Sequence, residues 1–285
     1  MRKTTELRNH LKAGKTVVAP GVYDGLSTRL VARAGFQAAY ASGGAIARSC
    51  GIPDLGLLSL AEIADRLEQI VDAVEIPIIA DADNGYGNAL NAQRAARAFE
   101  RAGVAAFHLE DQTYPKRCGH YEDKSLVAVG EMVGKLKAVR DALTDPDFIV
   151  IARTDAIAVE GFEGAIERCF AYAEAGADVL FLDAPTNEAQ IEDVARRLLG
   201  WKLINMFEGG KTPLMPVARL EELGFSIVII PSDLQRAAIK AMQTTLEAIA
   251  RDGSSASVLA GMAGFDEREM LVGTREFLQR GKRYA

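Results

Sequence analysis

A chain of 285 residues, 49% hydrophobic and 25% charged, is long enough to bury a sizeable core, and one large α/β domain spanning 1–285 is the first expectation. A formal net charge of -6 without a concentrated basic face argues against nucleic acid and anionic membrane as partners and leaves small molecules. The longest apolar runs, such as "FSIVIIP", are too short to span a bilayer, and Cys50, Cys118 and Cys169 are too irregularly spaced for a disulfide framework or a zinc cluster.

The opening stretch "MRKTTELRNHLKAGKTVV" is charged and has no apolar core of the secretory kind, so cytoplasm is the expected location. Eight apolar or β-branched runs then follow in order: "TVVAP" (16–20), "AAYAS" (38–42), "PIIAD" (77–81), "AAFHLED" (105–111), "FIVIAR" (148–153), "DVLFLD" (178–183), "KLINMF" (202–207) and "SIVIIP" (226–231). Between them, segments such as "LAEIADRLEQIVDAV" and "NAQRAARAFERAG" space their apolar residues three and four apart, as helices packed on one side do. Gly35, Gly103, Gly176 and Gly224 fall where a helix must end before the next run, a place that favours the left-handed backbone of a C-terminal cap. Eight strand–helix units predict an α/β fold of the closed (β/α)8, or TIM barrel, type. An open doubly wound sheet is the alternative, but "PGVYDG" after the first run is no dinucleotide-binding turn. Residues 232–249 read as the eighth helix, and residues 250–285 as an extra C-terminal helical arm over the site or a neighbouring subunit.

In a barrel of this type the chemistry sits at the C-terminal ends of the strands. Tyr40, Ser42, Gly43 and Gly44 end the second run, Asp81 and Asp83 the third, Glu110 and Asp111 the fourth, Arg153 and Asp155 the fifth, Asp183 the sixth, and Asn205 and Glu208 the seventh. Asp81 and Asp83, one residue apart, read either as turn formers or as oxygen ligands for Mg²⁺, with Asp54 and Glu110 completing the shell. Four carboxylates on neighbouring strand ends would repel without a cation, which favours the metal. The "YASGG" turn either is a flexible turn or offers backbone N–H groups and the Ser42 hydroxyl to an anion, and Arg153 and Arg236 put forked cations on the same rim, for substrate or for structural salt bridges with the many acids. In "KRCGH", Lys116, Arg117 and His120 surround Cys118 and Gly119 with positive charge, which favours thiolate and suits Cys118 to act as a general acid or base, or as a nucleophile. Cys50 and Cys169 read as structural, and His108, within a strand, as a satisfied core histidine.

The motifs "PGVYDGLS", "YASGG", "DADNGYGN", "LEDQ", "KRCGH", "IARTDA", "NMFEGG" and "IIPSDLQR" run along nearly the whole chain. Together they resemble the isocitrate lyase and phosphoenolpyruvate mutase superfamily, and within it the short methylisocitrate lyase and 2,3-dimethylmalate lyase group. The resemblance implies a (β/α)8 barrel, Mg²⁺ (Mn²⁺ as a substitute), a small 2-hydroxy or 2-oxo polycarboxylate substrate, and a homotetramer whose C-terminal helices are swapped between subunits. It implies that Asp81 binds the metal directly and that Asp54, Asp83 and Glu110 hold it through water. Tyr40, Ser42, Gly43, Gly44, Arg153, Asn205 and Arg236 match substrate-contacting positions, and Cys118 matches the acid/base thiol of a closing loop. The implied reaction is retro-aldol (retro-Claisen) cleavage to pyruvate or glyoxylate and a carboxylic acid, with Tyr40 a candidate for the base. Asp183 stands where methylisocitrate lyases usually carry Glu, and Phe207 where they carry a smaller polar residue, which favours a less polar alkylated malate. Oxaloacetate hydrolysis to oxalate and acetate is a second reading, phosphorus–carbon mutase chemistry a third, disfavoured by the intact "KRCGH", and a non-catalytic binding paralogue a fourth.

Overall fold

All eight runs are strands in the computed structural model, which describes residues 1–116 and 124–284. They are β1 (Val17–Val22), β2 (Ala39–Ala41), β3 (Ile78–Asp81), β4 (Ala106–Glu110), β5 (Ile149–Thr154), β6 (Val179–Leu182), β7 (Trp201–Asn205) and β8 (Ile227–Ile230). Each pairs in parallel with the next, and β8 closes on β1 through the register Val17 to Ile227 and Pro20 to Ile230. The open-sheet alternative is thereby excluded. The helices are α1 (Lys3–Lys12), α2 (Gly25–Arg33), α3 (Gly43–Ser49), α4 (Leu60–Asp72), α5 (Ala89–Arg101), α6 (Val129–Ala142), α7 (Ile157–Glu174), α8 (Glu188–Arg197), α9 (Val217–Glu222), α10 (Asp233–Asp252), α11 (Phe265–Val272) and α12 (Thr274–Gly281), with a 3₁₀ turn at Ala256–Gly261. The four helix-ending glycines have φ of +87°, +83°, +100° and +82°, the left-handed backbone their positions required.

Strand periodicity sorts the core into two layers. Outward residues such as Ala80, Phe107, Val150, Leu182 and Ile204 pack under the helices, whereas Ile79, Ala106, Ile151, Phe181, Leu203 and Ile229 fill the barrel interior. The interior row continues two residues further toward the C-terminal ends as Asp81, His108, Arg153, Asp183 and Asn205, and on β4 two more to Glu110. Register places Asp81 beside His108 and Glu110 beside Arg153. The change from apolar to polar along one inward row makes the floor of the site.

Helix α1 seals the opposite end of the barrel. Leu7 and Leu11, one helical turn apart, are 0% and 2% exposed within the interior cluster, and Lys3 Nζ donates to the carbonyls of Val71 and Val74 at 2.7 Å. At the other terminus, α11 and α12 bury no residue, and Phe265, Phe277 and Leu278 are 70%, 60% and 64% exposed. No helix among the described residues is long and apolar enough to cross a membrane.

Candidate active site

Above the polar floor lies a cavity of about 310 Å³. Tyr40, Ser42, Gly44, Asp54, Asp81, Glu110, Lys116, Arg153, Asp183, Asn205, Phe207 and Arg236 all line it, so segments from seven strand ends converge as the sequence predicts. Cys118, Gly119 and His120 lie outside the described residues. Asp83 does not line the cavity; it sits behind Asp81, where its N–H donates to Asp81 Oδ1 at 3.0 Å. Cys169 is buried and structural, but Cys50 is exposed, contrary to the structural role expected for it.

The Gly-Gly pair is the first turn of α3 rather than a free turn, with Ser42 as its N-cap accepting from Ala45 N at 3.3 Å. Gly43 N donates to Asp81 Oδ2 at 3.3 Å. A Cβ on Gly43 would stand 2.8 Å from that same oxygen, and one on Gly44 would stand 2.8 Å from Asp54 Oδ2. The glycines are there because two carboxylates approach their backbone, and the anion-binding role read for the Gly43 N–H is already taken by Asp81.

Lys116 is the cation around which the acids gather. Its Nζ is 2.5 Å from Asp54 Oδ1 and 2.8 Å from Asp83 Oδ1, the latter met as an ion pair rather than along a hydrogen-bonding direction. Burial alone would strip the proton from this lysine, but Asp83, Asp54, Asp81 and Glu110 outweigh it and hold the ammonium charged far above its ordinary range. Burial, resisted by Lys116 but reinforced by Asp81 and Asp54, raises Asp83 to about 7. Asp81 goes the other way: burial would raise it, yet His108, Lys116, Arg153 and the Asp83 N–H bring it to about 2. His108 is itself pushed down to about 4 by burial, so near neutrality the imidazole is uncharged and the two cations keep Asp81 ionised.

Arg153 is spoken for on three sides. It donates to both oxygens of Asp155 at 2.9 and 3.0 Å and to Asp183 Oδ2 at 3.0 Å, and lies 3.4 Å from Glu110 Oε2. Burial drives Glu110 well above the ordinary carboxylate range despite that arginine. Tyr40 donates to Asp81 Oδ2 at 3.2 Å and stands 2.7 Å from His108 Nε2. Burial and then Asp81 raise its phenol well above the usual value, so it is a neutral hydrogen-bond donor, which argues against the base role expected from the sequence. Arg236 is half-exposed, pairs with Glu208 Oε2 at 2.7 Å, and lies 5.6 Å over the Phe207 ring.

Among the described residues no three Asp, Glu, His or Cys side chains converge tightly enough to form a direct ligand cage. Mg²⁺ takes one or two carboxylates and keeps several waters, so it would draw on acceptors that the site leaves open. Glu110 Oε1, buried and without a partner, is an acceptor suited to such a water. Asn205 Oδ1 and Ser232 Oγ, also lining the cavity, are likewise unpartnered, the mark of a site built for a polar ligand.

A family model described as phosphoenolpyruvate phosphomutase matches residues 7–250. A solved 2,3-dimethylmalate lyase, described as a PEP mutase/isocitrate lyase superfamily member, superposes with a TM-score of 0.94 at 37% identity, covering 100% of this chain and 96% of that one. The chain belongs to this superfamily. A 2,3-dimethylmalate lyase from Eubacterium barkeri is 42% identical over 286 residues, 100% of this chain and 99% of its own. A 2-methylisocitrate lyase from Aeropyrum pernix is 42% identical over 274 residues, 96% of this chain and 88% of its own.

Some parts of this superfamily member's site escaped sequence reading. His108 is more than a satisfied core histidine: it contacts Tyr40 and lies 3.4 Å from Asp81 Oδ1, while its Nδ1 has no partner. Its signal was present, since a period of two places it in the same inward row as Glu110. Arg48, Ile229, Gln235 and Ile239 also line the cavity, and only Ile229, two residues before the end of its run, was accessible to that logic.

Proposed function

We propose that this protein is a carbon–carbon lyase that cleaves a 2-hydroxy dicarboxylate bearing alkyl groups on C3 into a 2-oxo acid, pyruvate or glyoxylate, and a carboxylic acid. The observation that carries the reading is one cavity with two unlike kinds of lining: acids and an ammonium with the unpartnered Glu110 Oε1 and Asn205 Oδ1, and the apolar Phe207, Ile229, Pro231 and Ile239. The polar lining suits a hydroxy-acid head and the apolar lining an alkyl substituent. Arg236 is already paired with Glu208 and lies over Phe207, which leaves it poorly placed for a third carboxylate and supports an alkylated malate over a tricarboxylate.

Asp81, with Asp54, Glu110 and the more withdrawn Asp83 around it, would hold Mg²⁺ (or Mn²⁺), which when bound would supply Lewis-acid stabilisation of charge on the substrate oxygen. Ser42 and Tyr40 orient the head group as hydrogen-bond donors. The 2-hydroxyl proton is lost to solvent and C2–O becomes the carbonyl of the 2-oxo acid as the C2–C3 bond breaks, its electron pair passing into an enediolate on the departing carboxylic acid. Cys118 gives its thiol proton to that carbon, while Lys116 and His120 keep the surroundings of the thiol positive and Arg153 and Asn205 face the enediolate charge. Sequence places Cys118 two residues after Lys116, whose ammonium is at the floor of the site. The free thiols of Cys50 and Cys169 support a cytoplasmic setting. The exposed apolar residues of α11 and α12 support a homotetramer that exchanges its C-terminal arms.

Release of a 2-oxo acid is to be measured over a panel of 2-hydroxy di- and tricarboxylates and oxaloacetate, with and without a chelator. The expected result is release of pyruvate or glyoxylate from an alkylmalate, abolished by the chelator and restored by Mg²⁺. Oxalate from oxaloacetate alone would replace this reading with hydrolysis, and turnover that survives Mg²⁺ removal would sink the metal. In the same assay Cys118→Ala should retain substrate binding and lose at least about 10²-fold in kcat.

A further inference from the structure

Helix α6 buries an ammonium that the chemistry above leaves unused. Lys135 is 2% exposed, and its Nζ donates to the Asn84 carbonyl at 3.0 Å. Among the described residues the one carboxylate within ion-pair reach is Glu131 Oε1, 4.0 Å away and itself half-exposed. Burial pulls the lysine down, with Glu131, Glu110 and Asp111 opposing. A buried cation with one carbonyl for a close partner is costly, and an apolar side chain of similar length would fill the same space without that cost. The reason to keep it lies in the segment it grips.

Asn84 is in the turn 82–87, which joins β3 to α5 and carries Asp83. Asp83 and Tyr86 have φ of +46° and +62°, left-handed backbone that residues other than glycine seldom adopt and that persists only where the surroundings impose it. From the cavity side the turn is held by Asp83 N on Asp81 Oδ1 (3.0 Å) and by Glu110 N on Asp83 O (2.9 Å). Gly85 is wedged so that a Cβ there would meet Ala92 Cβ at 2.9 Å. Lys135 holds the turn from the opposite side, through the carbonyl next to Asp83.

We propose that Lys135 is a positioning residue: by fixing the turn 82–87 from behind, it sets the direction in which Asp83 presents its carboxylate to the divalent-cation site. This rests on the reading of Asp81 and Asp83 as metal-facing, and the test separates the two. Mg²⁺ binding is measured calorimetrically on the full chain for wild type, Lys135→Met and Lys135→Arg, and again with Lys135→Met in an Asp83→Asn background. Lys135→Met should weaken Mg²⁺ binding about 10- to 100-fold, the usual scale for a group supporting a metal ligand. Lys135→Arg should restore most of it, and with Asp83→Asn present Lys135→Met should add little. Should Lys135→Met fail to fold, Lys135→Gln, a neutral donor, should bind with intermediate affinity. Wild-type affinity in Lys135→Met, or an undiminished effect in the Asp83→Asn background, overturns the positioning role. A wild type that binds no Mg²⁺ overturns the metal reading beneath it.

Discussion

Phe207 and Asp183 both line the cavity, in different company. Asp183 is committed to Arg153 at 3.0 Å, so its length sets how far the guanidinium is drawn toward β6. Phe207 closes one side of the cavity under the Arg236 guanidinium. Removing the ring takes away apolar contact for a C3 substituent, which in hydrophobic pockets changes discrimination on the order of 10-fold or more per group. Phe207→Ala should therefore lower kcat/KM for a C3-dialkylated malate roughly 10-fold while leaving unsubstituted malate nearly unchanged. Equal losses on both substrates would show that the ring is a general support. Residue types at this scale were legible in the sequence because each lies at a strand end; their pairings were not. Arg153 read either as a cation for substrate or as a salt-bridge partner, and only the fold shows that Asp155, Asp183 and Glu110 surround it.

At the scale of the element, α1 shows what strand-and-helix alternation leaves out. Its apolar content is little more than Leu7 and Leu11 among charged neighbours, and it stands outside the eight strand–helix units read from the sequence. In the fold it is the bottom plug, tied to the α6–β5 connection by Thr4 Oγ1 donating to Asp145 Oδ2 at 2.8 Å and by Arg2 at 3.3 Å. Slight burial would raise the Asp145 carboxyl, but the Asp147 N–H, Thr4 and Arg2 outweigh it and hold it below the usual carboxylate range. A depressed native pKa means that Asp145 stabilises the fold above the ordinary aspartate value and loses this contribution as pH falls through the depressed one. Asp145→Asn should lower the Tm at pH 7, and the gap from wild type should close below about pH 4. A gap independent of pH would assign the effect to packing. Helix α3 teaches the same lesson in reverse: a glycine pair that reads as a turn is a helix start, its missing Cβ atoms required by Asp81 and Asp54, which are 38 and 10 residues distant from the nearer glycine of each pair.

For the whole molecule, the barrel buries a continuous apolar core, whereas α11 and α12 bury none of their own residues. Phe277 and Leu278 on α12 face outward beside a tail that buries none of its own residues. If these side chains dock on a second copy, a charge in their place is left unpaired in an apolar interface. Phe277→Asp with Leu278→Asp should convert a tetramer, measured by light scattering, to smaller species; an unchanged mass would remove the arm from the interface. Among the described residues the arm's contact with its own barrel includes Arg33 on Met270 Sδ at 3.3 Å, a weak tether for a segment of this size.

The amino-acid sequence by itself determined the eightfold alternation, the glycine that ends each of four helices, and the placement of acids and cations at strand ends. These follow from local rules: a period of two along a strand, of 3.6 along a helix, and the steric freedom of glycine at a left-handed cap. Parallel pairing of neighbouring strands decided the rest, because it brings side chains from separate strand–helix units within a few ångströms. Which carboxylates surround Lys116, that Asp83 stands behind Asp81, that His108 meets Tyr40, and that Lys135 reaches the turn from outside are facts of distance between elements. Charge and burial act through such distances, and no local pattern carries them.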